Sequence, residues 1–522
     1  MAARPLRLAE RQDALDGSIL LAANRIGGIG RFDAARLPAA QPLVTRRILA
    51  TALALLLASC GGSAPDAAPE ITDEERAIGA QQHPQLLAEF GGAYAGPQAR
   101  YVAAVGERIA AAAGTPGECT FTLVNSDVVN AFAVPGCFIY VTRGLLAVVT
   151  SEAELASVLG HEVGHIAAQH AQRQQQRSIW RTLGVIAVSV TGSERLTRLA
   201  SQAAQYFTLR YSRGQEYEAD DYGIRYLRRA GYDVYAAGDM LAALQRQETF
   251  LTAAERRDTA RGIPEWALSH PTTEHRIARA RDAADDTGLK DDELPERADA
   301  YLDAVDGLLW GDDPEQGFVL GRRFAHPIMR ISFEAPPGFA LTNGPQAIRL
   351  TGPNGISGEF GGAPLAAPTL EAHAEALANH IVGDAPATLD DAVSTVINGI
   401  PAVLLRLRLA VRDGAVPLSI AVYDGGDGQA YHFIVASPPA NADAAAVAAL
   451  FASFRRLSPE EAARLRPRFV RVVPVRAGDT RASLSALNAD AAPRALFDLL
   501  NGGKSTDPLT PGTRVKIVRL AQ

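Results

Sequence analysis

Within five residues the chain sets two imidazoles and a carboxylate, in the order His161, Glu162, Val163, Gly164, His165. Residues four apart on a helix project from one face, so His161 and His165 can hold one ion between them. Neutral imidazole nitrogens suit zinc. A carboxylate beside such an ion can take a proton from an attacking water, and Glu162 is the expected general base. Five residues also arise by chance in a long chain, so the reading requires a third ligand.

The element that must carry them is a helix. Ser151 and Glu154 have capping-box spacing at the start of "SEAELASVLGHEVGHIAAQH", which predicts helix through the motif. Leu155, Leu159 and Ile166 form an apolar stripe beside the histidines. Imidazoles bordering a packed core without partners are costly, and a metal satisfies both. Ala168 and Ala171 stand where the metzincin pattern needs glycine and histidine, which excludes that pattern. His170, nine residues after His161, is expected to face the other way, behind the site or at the surface. The remaining ligand candidates lie in "RGQEYEADDYG", where Glu216 and Asp220 are again four apart on a predicted helix. One carboxylate can close the metal sphere while the other orients a ligand histidine. Glu218 is expected to point elsewhere.

Four separated segments, "NAFAVPGCFIYVTRGLL", "HEVGHIAAQH", "YSRGQEYEADDYG" and "SHPTTEHRIARA", occur in an order that resembles the zinc metallopeptidase family of the CAAX prenyl endopeptidase, HtpX and periplasmic BepA-like proteases. The resemblance covers residues 70–285. It implies a mainly α-helical gluzincin domain with one zinc ion held by His161, His165 and Glu216, with Glu162 as base and Asp220 behind a ligand. His270 matches a histidine that in BepA-like members takes the water's place on zinc and holds the enzyme latent. The segment Asn130, Ala131, Phe132, Pro135 and Gly136 matches the one preceding the strand on which an extended substrate is thought to lie by β-addition. Cys137 stands where a second glycine is usual, which puts the local turn in question.

Other features place this domain in a longer plan. The 522 residues are 47% hydrophobic, with a net charge of -7 that gives no electrostatic case for nucleic acid. "TRRILATALALLLASCGG" has a basic start, a short apolar run and small residues, the order of an export signal. Leu57-Ala58-Ser59-Cys60 resembles a lipobox, so lipidation at Cys60 and anchoring at the periplasmic side of the outer membrane are expected. Residues 1–43 precede this signal awkwardly, and a true start at Val44 is expected. Cys119 and Cys137 then remain as a candidate disulfide in an oxidising compartment.

The expected organisation is multidomain. Residues 1–59 hold the misassigned start and signal, 60–75 a tether, and 76–310 the peptidase domain. Residues 311–457 form an α+β domain weakly resembling the PsbP and Mog1 type. Residues 470–522 form a small βα module resembling LysM, which implies contact with peptidoglycan. "CTFTLVN" and "CFIYVTRG" read as strands joined by "NAFAVPG", the acidic stretch 282–313 as a boundary, and "DGGDG" as a hairpin turn. The expected function is zinc-dependent endoproteolysis of misfolded or stalled envelope proteins. The rival is a non-proteolytic chaperone or scaffold with a latent or structural zinc site.

Overall fold

The computed structural model describes residues 68–173, 211–255, 270, 274–411, 414–438, 443–502 and 508–521. Cys60, the signal-like segment and the apolar run around Val185 lie outside these residues.

The first layer is helical, wrapped on a small sheet. Helix α1 (Asp73–Glu89) starts from a reciprocal Thr72–Glu75 capping box, so the last residues of the expected tether are already helical. Helix α2 (Pro97–Ala113) buries Val102, Val105 and Ile109. Strands β1 (Thr120–Val124), β2 (Ala131–Val134) and β3 (Phe138–Thr142) form a sheet in the order β1-β3-β2, with β1 parallel and β2 antiparallel to β3. The segment expected as a connector is therefore itself a strand. Only four residues long, it pairs with β3 because the turn at Val134–Phe138 is tight enough to bring it back.

That turn uses two left-handed residues, Gly136 (φ 82) and Cys137 (φ 61). A Cβ at Gly136 would lie 2.6 Å from the Glu75 carbonyl oxygen, so the first position must be glycine. Cys137, in the place of the second glycine, holds this left-handed conformation while tethered by its disulfide to Cys119 on the neighbouring chain segment. The Thr120 amide also donates to the Cys137 carbonyl at 2.8 Å.

Helices α3 (Arg143–Val148), α4 (Glu152–Ala167), α5 (Arg213–Ala230), α6 (Ala236–Glu255), α7 (Glu274–Asp285) and α8 (Ala298–Val305) complete this layer. Helix α8 falls inside the acidic stretch expected as a boundary, yet it buries Tyr301 and Val305 in the main core. Its charges face outward on an amphipathic helix, which is why the stretch reads as a linker.

Beyond β4 (Leu309–Trp310), the α+β region begins with β5 (Phe318–Leu320), β6 (Arg323–His326), β7 (Ile331–Glu334), β8 (Ala340–Asn343), β9 (Ile348–Thr351) and β10 (Ser357–Pro364). It continues through α9 (Leu370–Val382), β11 (Ala387–Ile397), β12 (Ile400–Val411), β13 (Gly414–Gly426), β14 (Gln429–Ala436), α10 (Ala444–Ala452) and β15 (Arg455–Arg456). A seven-stranded antiparallel sheet in the order β11-β12-β13-β14-β10-β9-β8 is its centre. Alternation along β13 sends Leu418, Ile420 and Val422 toward α9, and Ala421 and Tyr423 toward a second core with Phe333 and Phe454. The expected hairpin joins β13 to β14 with Asp427 and Gly428 both at positive φ.

After a short helix, α11 (Pro459–Ala463), the chain ends as β16 (Arg468–Pro474), α12 (Arg481–Ser485), α13 (Pro493–Asn501) and β17 (Arg514–Leu520). The two strands pair antiparallel, and β16 also pairs with β4. Val470, Leu496, Leu499, Leu500 and Val518 belong to the same apolar core as α4 and α6. This βααβ segment thus shares the core of the helical layer.

Candidate metal centre

Helix α4 starts at Ser151, whose hydroxyl accepts from the Glu154 amide at 3.1 Å. The reciprocal half of the expected capping box is absent: the Glu154 carboxylate accepts from the Thr150 amide at 2.9 Å and from its hydroxyl. Leu155 and Leu159 are fully buried, as the apolar stripe requires, whereas Ile166 is only partly covered. Two glycines then decide what lies opposite the histidines. A Cβ on Gly164 would sit 2.9 Å from the Ala219 carbonyl oxygen and from the Tyr222 Cβ, and one on Gly160 would sit 3.2 Å from the Gly223 Cα. The seam of small residues lets α5 approach α4 closely, and that approach delivers Glu216 and Asp220 to the histidine face.

There the donors converge. His161 Nε2 and His165 Nε2 are 3.0 Å apart. The Glu216 carboxylate reaches 3.7 Å from each of these nitrogens, one oxygen apiece. His270 places Nδ1 2.9 Å from Glu216 Oε1 and 3.4 Å from His161 Nε2. One ligand atom from each of His161, His165, Glu216 and His270 lies within 4.8 Å of the others. All four residues are at most 2% exposed. A tetrahedral ion with ligands about 2.0–2.1 Å away needs donors about 3.3 Å apart, and this set fits it.

The outer nitrogens explain which lone pairs face inward. Asp220 Oδ1 is 2.9 Å from His161 Nδ1, so the proton sits on Nδ1 and the Nε2 lone pair faces the cluster. On the other histidine, His170 Nδ1 is 2.8 Å from His165 Nδ1, and His170 Nε2 is 3.2 Å from Glu218 Oε2. With the carboxylate accepting from Nε2, His170 Nδ1 must accept in turn, so His165 Nδ1 donates and its Nε2 lone pair also turns inward. His170 thus stands behind His165, one of the two places expected for it, and Glu218 lies behind His170, away from the donor set. The helix ends at Ala167 and Gln169 adopts φ 50, which folds His170 back onto His165 instead of continuing the helical rotation.

Arg276, within the fourth quoted segment but not singled out there, lies behind both carboxylates. Its Nε and NH2 donate to the two oxygens of Asp220 at 2.8 Å each, and NH1 is 2.7 Å from Glu216 Oε2. It is 1% exposed. Burial alone would raise the Glu216 carboxyl, but His270 and Arg276 outweigh it and hold it down to about 2. Burial is outweighed at Asp220 too, mainly by Arg276, and its carboxyl lies well below the usual range. Glu162 behaves oppositely. Burial pushes its carboxyl up against the opposing pull of His270 and His161. Its Oε1 has no hydrogen-bond partner among the described residues and lies 3.9 Å from His270 Nε2. Burial also lowers His165, with His161 and His270 adding to the effect. Tyr211 stacks on the His165 ring at 3.9 Å.

Among the described residues, the sheet beside α4 has no further strand on its β2 side. Central β3 is paired on both sides, so it cannot accept another strand, whereas β2 is the edge. The Thr142 amide donates to the Asn130 carbonyl at 3.0 Å. Alternation from that pair turns the Phe132 peptide groups toward β3 and those of Ala131 and Ala133 outward. Pro135 and Gly136 lie in the turn that ends the strand.

The profile of peptidase family M48 matches residues 97–284, the stretch that contains every residue of this centre. Residues 97–284 are a peptidase family M48 domain. The M48 stretch has relatives in several bacteria and in mitochondria. A β-barrel assembly-enhancing protease of Yersinia pestis is 32% identical over 226 residues, covering 41% of this chain and 44% of the relative. The metalloprotease LoiP of Escherichia coli (strain K12) is 28% identical over 166 residues, covering 31% of this chain and 61% of LoiP. The mitochondrial metalloendopeptidase OMA1 of Arabidopsis thaliana is 36% identical over 111 residues, covering 21% of this chain and 22% of OMA1. The chain thus spans less than half the length of the Yersinia relative. No helix among the described residues is long and apolar enough to cross a membrane.

Proposed function

We propose that the chain is a zinc-dependent endopeptidase of the bacterial envelope, with His161, His165 and Glu216 as the ligands of one zinc ion. The observation that carries this reading is the convergence of two inward Nε2 atoms and a carboxylate beside a buried, unpartnered Glu162 oxygen. Zinc, when bound, polarises the scissile carbonyl and makes the attacking water more acidic. Glu162 takes the proton of that water and returns it to the leaving amine, a task that suits a carboxyl raised toward neutrality by burial. Asp220 holds His161 in the tautomer that ligation needs.

An extended substrate pairs with the outward Ala131 and Ala133 peptide groups of β2, next to α4. Main-chain pairing selects an unfolded segment over a particular sequence, which supports misfolded or stalled envelope proteins as substrates. The name of the Yersinia relative, a protease that enhances β-barrel assembly, points the same way. Lipidation at Cys60 places the enzyme on the periplasmic side of the outer membrane. The α+β region and the βααβ segment, the latter LysM-like in element order, serve to recruit substrates or peptidoglycan.

His270 completes the donor set and, with its neighbours, buries it. This favours a resting form in which His270 occupies the fourth position and must leave before cleavage. The test is casein degradation by the purified chain, with and without chelator, beside Glu162→Gln and His270→Ala. Glu162→Gln should keep its zinc and lose cleavage, and His270→Ala should cleave faster. Parent-like cleavage by Glu162→Gln overturns the assignment, and zinc-loaded parent and His270→Ala that both fail to cleave favour a non-proteolytic scaffold.

A further inference from the structure

A second group of acidic side chains lies apart from the histidine cluster. Asp233 joins α5 to α6, while Asp292 and Glu296 belong to the loop between α7 and α8. One carboxylate oxygen from each lies within 4.8 Å of the others. Asp233 is 1% exposed, Asp292 is exposed and Glu296 half-buried. Asp233 Oδ1 accepts from the Tyr235 amide at 3.2 Å, but its Oδ2 is buried without a hydrogen-bond partner among the described residues. A buried carboxylate oxygen left unpaired beside two like charges is costly unless something positive sits with it. The arginines of this region are engaged elsewhere: Arg108 and Arg297 with Glu152, Arg281 with Asp239. Consistent with this, burial and then the charges of Glu154, Asp239, Asp233 and Asp292 push the Glu296 carboxyl up to about 7.

We propose that Asp233, Asp292 and Glu296 bind a calcium ion that ties the α7–α8 loop to the junction of α5 and α6, beside the start of the histidine-bearing helix. The donors are all hard oxygens, with no imidazole or thiolate among them, which selects calcium or magnesium over zinc. Calcium takes ligands at about 2.3–2.6 Å in flexible geometry, so carboxylate oxygens up to 4.8 Å apart can share it, and the exposed side leaves room for water. Magnesium demands shorter bonds in a regular octahedron. The mechanical link is already in place. The Ala153 amide, in the first turn of α4, donates to the Glu296 carbonyl at 3.1 Å, and the Asp233 amide donates to the Pro295 carbonyl at 3.4 Å. An ion held by Asp233 and Glu296 would therefore brace the N-terminal end of the helix that carries His161 and His165.

The experiment uses the full, zinc-loaded chain in calcium-free buffer. Calcium is titrated calorimetrically up to about 10 mM, above the weak end of the range for such sites, and Tm is recorded. Terbium, a calcium mimic excited through tyrosine, reports location, because Tyr232 and Tyr235 flank Asp233. The expected result is uptake of one calcium per chain and a Tm rise of roughly 1–3 °C at about tenfold the Kd. Terbium emission should appear and be displaced by calcium. Asp233→Asn should weaken uptake at least tenfold and abolish the emission, with zinc content unchanged. If that variant does not fold, Glu296→Gln at the half-buried position replaces it. No calcium uptake by the parent, or undiminished uptake and emission in the folded variant, overturns the proposal.

Discussion

Asp220 and Arg276 make the histidine cluster a defined donor set rather than a pair of rings that happen to face each other. Asp220 sets the His161 tautomer, and Arg276 neutralises the two carboxylates that α5 brings into the core. Asp220→Ala should reduce zinc affinity ten- to hundredfold, measured by competition with a chromophoric chelator, because the ring loses its orienting partner, and should lower stability because buried Arg276 loses its bidentate partner. A second residue-scale expectation concerns Glu296. Its folded carboxyl lies at about 7 against 4.5 for the ordinary group, so between those values the native state holds a proton that the unfolded state has released. Stability must then fall as pH rises through that window. Glu154, Asp239, Asp233 and Asp292 all face it and act in the same direction. In calcium-free buffer, urea midpoints of the parent should decline relative to Glu296→Gln from about pH 4.5 to pH 7. Parallel midpoints across that range would show that Glu296 is not so perturbed.

At the scale of elements, the decisive feature is the distance between α4 and α5. Gly164 sits inside the motif but does no chemistry. It removes the side chain that would hold Ala219 and Tyr222 away. Gly164→Val should push the helices apart, withdraw Glu216 from the histidines and cost zinc affinity as well as about 1–3 kcal/mol of stability. Zinc competition and urea unfolding measure the two. The i, i+4 spacing of His161/His165 and of Glu216/Asp220 was legible because it follows from helix geometry alone. The edge strand at Ala131–Val134 was not, since four residues carry too little alternation to distinguish a strand from a connector. His170 stands behind His165, one of the two places expected for it, but the left-handed Gln169 that turns it there at the helix end leaves no periodic trace.

Across the whole molecule, the C-terminal βααβ segment is built into the M48 domain's core. Lys516, on β17, is 1% exposed and its Nζ donates to the Ala147 and Val149 carbonyls at 2.7 and 2.6 Å, closing the C-terminal end of α3. Lys516→Met keeps the apolar stem and abandons two buried acceptors. It should destabilise the chain by about 1–3 kcal/mol in urea unfolding. An unchanged midpoint would mean those carbonyls find other donors. The acidic stretch 282–313, read as a boundary, supplies α8 and β4 to this shared core, and composition could not reveal it because only one face of each element is buried.

The sequence by itself determined the chemistry on offer, because ligand type and helical spacing are local properties that a few neighbouring residues specify. Tertiary structure alone decided how that chemistry is assembled. Arg276 behind two carboxylates, and α5 close enough to α4 for Glu216 to reach the histidines, depend on contacts between residues tens of positions apart. Such contacts follow from which faces bury together, and no local pattern records them.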